Sequence, residues 1–400
     1  MSSNCFVSLF TGAGGLDIGL ESAGWVGRYA SDNDPVTIDT LNANRGRLIG
    51  DCRYFEHAAI ELADVQKLTG DHILAKIGAT RGEIPLLVGG PPCQSWSSAG
   101  RQLGFNDPRG RLFSDFVRLA VELGVRWVMF ENVRGLLTAR GMDGRPGTAL
   151  EQIRCELLDV GFQTSVALLN AADYGVAQRR VRLVVFAYRD SEPFEFPLPT
   201  HDKHATGSLA PWHSLRELFA SNPVPDESDV IRPSELLATQ LAGLPEGSGV
   251  KSPGKREATR PGGHWGYKQG AFVTDPSKPA RTVTANTQQD WYRDPAIGLR
   301  RLSPRECSAI QSFPEGWLFS GRRSDQYRQI GNAVPPKLGE ALGSALLDHM
   351  SKANVLPASH ARLTPLSSSL ESAVRYTERD HLRNGASRSA APDRRSRRAA

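Results

Sequence analysis

Between residues 5 and about 190 the chain alternates short apolar runs with helix-like stretches, and this alternation constrains the fold more than any other feature. Cys5–Phe10, Val26–Ser31, Leu86–Val88, Trp127–Phe130 and Arg182–Tyr188 read as buried strands. Gly15–Ala23, Leu112–Leu123 and Ala149–Val160 read as helices, as does Pro35–Asn42, with proline pre-set for a first turn. Strands alternating with helices imply an α/β fold: a mostly parallel sheet with helices on both faces. Such sheets bind ligands beyond the carboxyl ends of their strands. The residues that follow each strand are therefore the first place to look for chemistry.

The first strand runs into Phe10-Thr11-Gly12-Ala13-Gly14-Gly15, where glycines let the backbone turn tightly and approach a ligand. A plain tight turn is the competing reading. The second strand ends at Asp32, a carboxylate suited to ribose hydroxyls, which favours a nucleoside ligand. No Gly-Lys-Ser/Thr follows, so this is not a Walker loop. Asp51 follows a third short apolar stretch and either meets the base of that ligand or is a turn aspartate. The run Leu86-Leu87-Val88 passes through Gly89-Gly90 into Pro91-Pro92-Cys93-Gln94, a rigid turn presenting one thiol. Such a cysteine suits nucleophilic attack, against the alternative of a buried structural thiol.

Glu131-Asn132-Val133 follows Trp127–Phe130, so a carboxyl group sits at another strand end, as a proton donor or as a cap or ion-pair partner. In Gln178-Arg179-Arg180-Val181-Arg182, strand alternation puts Arg180 and Arg182 on one side. Two such guanidinium groups suit a phosphate or a base carbonyl, or belong to a solvated edge. Gln329-Ile330-Gly331-Asn332-Ala333-Val334-Pro335-Pro336 is a tight turn before a proline-started helix, able to cap a pocket or simply to start the helix.

The composition changes near residue 190. Residues 190–298 hold 13 of the 26 prolines, yet aromatic residues from Phe194 to Tyr292 favour a folded unit over a linker. Helical patterning returns at Pro304–Ser312 and Pro336–Leu347. Residues 357–400 hold nine Arg and no Lys against four Asp or Glu, so the formal charge of +5 resides there and the body is neutral. The Arg/Ser/Ala-rich end from 351 to 400 is expected to be disordered, either as a DNA tether or as a solubilising end. Five scattered cysteines without a CxxC pair point to a reduced cytoplasm and to no structural metal. No apolar run is long enough to span a membrane, and Met1–Asn4 lacks the basic segment of a signal peptide.

Taken together and in this order, these motifs resemble the cytosine-C5 DNA methyltransferases of the bacterial restriction–modification type. The resemblance covers residues 5–190 and 299–349. Its marks are the Phe10 glycine turn, Pro91-Pro92-Cys93-Gln94, Glu131-Asn132-Val133, the Gln178–Arg182 run, Arg301-x-Leu-x-Pro-Arg305-Glu306 and Gln329-x-Gly331-Asn332-x-Val334-Pro335. Gly104-Phe105-x-Asp107-x-Arg109-Gly110-x-Leu112-Phe113 matches the family's mobile catalytic loop.

The resemblance implies a Rossmann-like S-adenosylmethionine-dependent methyltransferase fold with a smaller, irregular, β-rich target recognition domain. It divides the chain into 1–190 (catalytic and cofactor-binding), 191–298 (target recognition), 299–350 (the return to the catalytic domain) and the tail. It makes Cys93 the thiolate that adds to C6 of cytosine and Glu131 the donor to N3. Arg180 would hold the cytosine O2 and help order Glu131, supported by Arg182. S-adenosylmethionine would sit on Phe10, Gly12, Gly14, Gly15 and Leu16, with its ribose on Asp32 and its adenine on Asp51 and Cys52. Pro92 and Leu112 would line this pocket and Asn332 and Ala333 close it; no metal takes part. Gln94, Ser97, Arg101 and Arg109 would close over the DNA, and Thr282 would lie near the flipped base.

Asp32 stands where many members have Glu, and Asn33 where an apolar residue often packs on adenine. The partner implied is double-stranded DNA with a short specific site, met by a monomer in the bacterial cytoplasm, at the nucleoid. Whether a restriction endonuclease shares the site stays open. Two alternatives also stay open: a tRNA cytosine-C5 methyltransferase on the same scaffold, and a non-catalytic DNA-binding regulator. The first lacks its Cys-Phe-Thr tripeptide here, and only four residues precede the first strand to hold a regulator's added module.

Overall fold

The computed structural model describes residues 4–92, 111–141, 143–189, 192–221, 227–251, 253–254, 270–352 and 363–388. The amino-terminal half contains β1 (Cys5–Leu9), α1 (Gly15–Ser22), β2 (Val26–Asp32), α2 (Pro35–Asn44), β3 (Leu48–Ile49), β4 (Cys52–Arg53), β5 (Ala59–Leu62), α3 (Gly70–Ile77), β6 (Leu86–Gly89), α4 (Arg111–Leu123), β7 (Trp127–Val133), α5 (Thr148–Asp159), β8 (Gln163–Asn170) and β9 (Val181–Tyr188). Seven of these strands form one sheet in the order β5-β2-β1-β6-β7-β9-β8. Five neighbouring strands run parallel, and β9 lies antiparallel to both β7 and β8.

Side chains alternate between the two faces of this sheet, and both faces are covered. Val7, Leu9, Tyr29, Val128 and Phe130 pack under Phe116 and Leu119 of α4 and Leu150 and Ile153 of α5. Phe6, Leu86, Val88 and Met129 face the other way, against Leu16 and Leu20 of α1. That is why the strands read as continuous apolar runs.

The remainder contains β10 (His201–Asp202), β11 (Ala210–Pro211), α6 (Leu215–Ser221), α7 (Glu235–Ala242), β12 (Ser248–Gly249), β13 (Phe272–Val273), β14 (Trp291–Asp294), β15 (Gly298–Arg301), α8 (Pro304–Ile310), α9 (Arg323–Asn332), α10 (Pro336–Lys352) and α11 (Ser368–Arg388). The Pro-rich stretch builds a small four-stranded sheet, β12-β13-β14-β15. Its core of Leu241, Leu244, Val273 and Trp291 is separate from the large sheet's. α8 opens with a capping box between Ser303 and Glu306. α10 returns to the large sheet and packs on α1 so closely that a Cβ on Gly19 would lie 2.3 Å from the Pro336 carbonyl oxygen. Only glycine permits that approach.

Two expectations need correction. The third short apolar stretch, the one before Asp51, is not a strand of the large sheet, and the strand beside β2 is β5. Asp51 lies in the small β3–β4 hairpin, whose two-residue strands pair only with each other. The carboxyl end of β5 carries Ala63 and Asp64 instead. The tail is also not disordered throughout. Residues Ser368–Arg388 form α11, because Leu370, Ala373 and Val374 lie at helical spacing and pack, with Leu366, against the core near Leu136, Leu137 and Ala149.

Candidate active site

The carboxyl ends of β1, β2, β6 and β7 form one rim. After β1, Phe10 takes a left-handed conformation (φ 54°), followed by Gly12 (φ 57°) and Gly14 (φ 82°). Non-glycine residues rarely adopt this conformation, so Phe10 stores strain in the turn. The Gly12 N–H donates to Asp32 Oδ2 at 2.9 Å and the Asp34 N–H to Asp32 Oδ1 at 3.0 Å. Burial raises the Asp32 carboxyl above its ordinary value, and these two N–H groups oppose the shift. Space is open beyond Gly12, where an added Cβ would meet no heavy atom within 4 Å. An open glycine turn against a carboxyl group fits a ligand with vicinal hydroxyls. Leu16 lies buried in the first turn of α1.

The Gln329–Pro336 turn comes from the far end of the chain to close this corner. An added Cβ on Gly15 would lie 2.2 Å from the Val334 carbonyl oxygen and 3.2 Å from Ala333 Cβ. Ala333 is buried and Asn332 exposed. Of the two residues assigned to the adenine, neither Asp51 nor Cys52 is on the rim strands. The Ala63 N–H donates to the Asp32 carbonyl at 3.0 Å, so Asp64 stands one residue from the second strand's tip. The position of Asp64 does not show in the sequence, because the run Ala59–Leu62 includes Glu61 and is too short to stand out as a strand.

At the end of β6, Gly89 approaches β1 so closely that a Cβ there would lie 2.5 Å from the Leu9 carbonyl oxygen. Gly90 follows beside Glu131, whose Oε2 lies 3.8 Å from the position a Cβ on Gly90 would take. Asn132 Nδ2 donates to the Pro91 carbonyl at 3.1 Å, which pins the proline turn to β7. Asn132 thus has a bracing role that its place in the sequence did not reveal. Pro92 is half-buried at the rim, and Leu112, also half-buried, lies in the first turn of α4. Cys93, Gln94, Ser97, Arg101 and Arg109 lie outside the described residues.

Glu131 pairs with Arg182, whose Nε lies 2.7 Å from Glu131 Oε1. That oxygen is buried, and the Arg182 guanidinium is its charged partner among the described residues. Arg180 does something else. It is 1% exposed, with Nη1 donating to the Val283 carbonyl at 3.1 Å and Nη2 to the Gly331 carbonyl at 2.8 Å. Arg180 precedes β9, where strand alternation has not begun, so its side chain turns toward α9 while Arg182 turns to β7. The residue beside Glu131 is therefore Arg182, and the expectation that Arg180 orders Glu131 is corrected.

Gln178 and Arg179 extend the same clasp. Gln178 Oε1 accepts the Val283 N–H at 2.8 Å, and the Arg179 carbonyl accepts Thr282 Oγ1 at 2.8 Å. Gln178 Nε2 donates to Gln311, which in turn donates to the Ile330 carbonyl. Three chain segments distant in sequence, 178–182, 280–284 and 330–334, are held as one body. A Cβ on Gly331 would lie 2.3 Å from Thr284 backbone atoms, so that junction admits only glycine.

A glycine turn facing a carboxylate on a parallel sheet, with a second carboxylate at the end of β7 paired to an arginine of β9, fits the Rossmann-like methyltransferase class. The family profile described as C-5 cytosine-specific DNA methylase matches residues 5–348. The chain is 31% identical over 348 residues to the type II methyltransferase M1.HphI of Haemophilus parahaemolyticus, covering 86% of each chain. It is 32% identical over 383 residues to M.Eco47II of Escherichia coli, covering 88% of this chain and 82% of the relative. Among solved structures it resembles S. pombe Dnmt2, with a TM-score of 0.60 at 16% identity over 86% of this chain and 98% of that one. Entamoeba histolytica EhMeth gives a TM-score of 0.61 at 15% identity over 88% and 99%. This chain belongs to the C-5 cytosine-specific DNA methylase family and is a DNA (cytosine-5) methyltransferase.

Proposed function

We propose that this enzyme methylates C5 of a cytosine flipped out of a short, specific duplex DNA site, through a covalent bond between Cys93 and C6. The observation that carries this reading is the Glu131–Arg182 pair at the carboxyl end of β7, against the Gly90–Pro92 turn that leads directly into Cys93. C5 of cytosine is a poor nucleophile. As the S–C6 bond forms, electron density moves to C5 and onto N3, where Glu131 donates a proton. Arg182 holds Glu131 in place and would offer its guanidinium to the base's O2, while Arg180 grips Val283 and Gly331. The Phe10–Leu16 turn would hold S-adenosylmethionine, whose sulfonium would supply the methyl group to the C5 carbanion, the S–CH3 bond breaking to leave S-adenosylhomocysteine. A base, or a water, then takes the C5 proton, the electron pair restores the ring, and the S–C6 bond breaks.

Asp32 takes the ribose hydroxyls, Pro92 and Leu112 line the pocket, and Asn332 and Ala333 border it. Asp64, rather than Asp51, accepts from the adenine amine, because it shares the rim with Asp32. Gln94, Ser97, Arg101 and Arg109 close over the DNA, and Thr282, anchored on Arg179, stands beside the extruded nucleotide. Residues 191–298 read the site. The relatives' type II names support a modification enzyme; it would act on DNA as a monomer in the cytoplasm, and any companion endonuclease would share its sequence without contact. Among the described residues no helix is long and apolar enough to cross a membrane.

Bisulfite sequencing of DNA exposed to the enzyme in vivo gives both the modified base and the site. Cys93→Ser should bind the same duplex and leave it unmethylated; retained methylation removes Cys93 from the reaction. Methylation of tRNA but not of duplex DNA would instead select the tRNA reading.

A further inference from the structure

We infer that Arg328 is a positioning residue for the cofactor: reaching from α9 to the side chain of Asp34, it orients the turn whose backbone aims Asp32 at the ribose. Asp32 takes that role from the cofactor reading above, on which the inference rests.

The path is short, and each step is a hydrogen bond. Arg328 Nη1 donates to Asp34 Oδ2 at 2.5 Å, across 294 residues of chain. The Asp34 N–H donates to Asp32 Oδ1 at 3.0 Å, so a shift of Asp34 shifts the group that aims this carboxylate. The other oxygen, Oδ2, is held by the Gly12 N–H. One side of Asp32 is thus fixed by the glycine turn, and the other by a residue that Arg328 grips. Asp34 also caps α2: its Oδ1 accepts the Val36 N–H at 3.3 Å and its Oδ2 the Thr37 hydroxyl at 2.7 Å. Burial works against the charge on Asp34, yet Arg328 and Thr37 outweigh it and hold its carboxyl below the ordinary value.

The bland alternative is a tie that only stabilises the fold, and the other contacts of α2 argue against it. Asn44 Nδ2 donates to the Leu318 carbonyl at 2.8 Å, and the Ser320 N–H donates to Thr40 Oγ1 at 2.8 Å. A Cβ on Gly321 would lie 2.6 Å from a Val36 methyl. These contacts dock α2 on residues 318–321 whether or not Arg328 is present. The Arg328 side chain is 38% exposed, so its ion pair adds little to stability. What it adds is direction, at the end of α2 that adjoins Asp32.

α9 is itself held firmly enough to give that direction. Arg323 in its first turn donates to the Ser228 carbonyl at 2.7 Å, and Arg180 grips the Gly331 carbonyl in its last. Asp325 accepts from Arg328 Nη2 at 3.3 Å and steadies the guanidinium on its own helix. Ser228 and Thr284, the residue packed on Gly331, both belong to the segment proposed to read DNA. The ribose carboxylate is therefore steered by a helix seated on that segment.

The test is calorimetric titration of the full chain with S-adenosylhomocysteine, with urea unfolding alongside. The variants are Arg328→Met, Arg328→Lys, Asp34→Asn and the double variant Arg328→Met with Asp34→Asn. Asparagine still caps a helix, so Asp34→Asn removes the charge and spares α2. Arg328→Met should weaken binding by roughly five- to tenfold, the effect of one charge-assisted bond discounted for partial exposure, at a urea midpoint close to wild type. Asp34→Asn should match it, the double variant should be no weaker than either single one, and Arg328→Lys should recover most of the affinity. In steady-state assays the loss should fall on KM for S-adenosylmethionine and spare kcat. Wild-type affinity in Arg328→Met, with or without a lower urea midpoint, overturns the inference, as do additive losses in the double variant. A wild-type chain that binds no S-adenosylhomocysteine defeats the cofactor reading and this inference with it; wild-type binding with an unaffected Arg328→Met defeats the inference alone.

Discussion

Replacing Arg180 and Arg182 separately should split stability from turnover. Arg180 is essentially inaccessible, and it gives two charge-assisted hydrogen bonds to the carbonyls of Val283 and Gly331. Arg180→Met keeps most of the side-chain volume, so the loss falls on those bonds rather than on a cavity. Hydrogen bonds from charged donors contribute about 1.5–3 kcal/mol each, and two buried carbonyls are left unsatisfied, which puts the cost at about 3–6 kcal/mol. That is a large part of a typical total of about 5–15 kcal/mol. Urea unfolding of the full chain should show a much lower midpoint and, where the variant folds, looser use of sequences near the true site, because 282–284 loses one of its anchors. Arg182→Met leaves the buried Glu131 without its ion-pair partner and should lower the midpoint too, but uptake of a proton by Glu131 at the rim keeps that loss below the loss of Arg180→Met. Its turnover on duplex DNA should fall by about 10²–10⁴, the range for impaired acid catalysis. The opposite pattern, with Arg180→Met stable but inactive and Arg182→Met active, would refute the clasp and return the base-holding role to Arg180.

The pH dependence of stability should carry the mark of two buried acids in α1. Burial pushes Asp17 up to about 7, opposed only in part by the Ser8 hydroxyl, and Glu21 up to about 8 despite the N–H groups of Phe55 and Gly27. Both folded values exceed the unfolded ones, so their contribution is full below about pH 4 and is lost as pH rises through 7 to 8. Asp17→Asn should therefore raise the melting temperature at pH 8, by the equivalent of roughly 2–4 kcal/mol, and do little at pH 4; an unchanged pH profile would sink the assignment. Asp64→Ala should raise KM for S-adenosylmethionine with kcat little changed, while Asp51→Ala leaves both alone, and steady-state kinetics will show a reversal if the hairpin holds the adenine. Leu370→Ala should cost about 2–5 kcal/mol by opening the core under α11, read as a lower urea midpoint; a neutral result would mean the helix is not docked in solution.

What could be read from residues alone was whatever the chemistry places at strand ends. β1, β2, β6 and β7 are apolar because both faces of the sheet are covered, so they stand out, and the glycine turn, Asp32, the proline turn and Glu131 follow from them. The failures share a physical cause. β5 is four residues long and half-exposed, with Glu61 held by Tyr29 and His72, so the more apolar Leu48–Ile49 stands out in its place, although it belongs to a small separate hairpin. Arg180 and Arg182 differ by one strand boundary, and strand alternation says nothing of a residue just outside the strand. The partners of Arg180 lie 103 and 151 residues away, a distance no local pattern encodes. α11 was hidden because its apolar stripe is narrow and its polar face resembles a solvated tail, yet a few apolar residues suffice when the surface they meet is already folded. Local patterns therefore located the reacting groups, while the residues that hold those groups in register are legible only where distant segments meet.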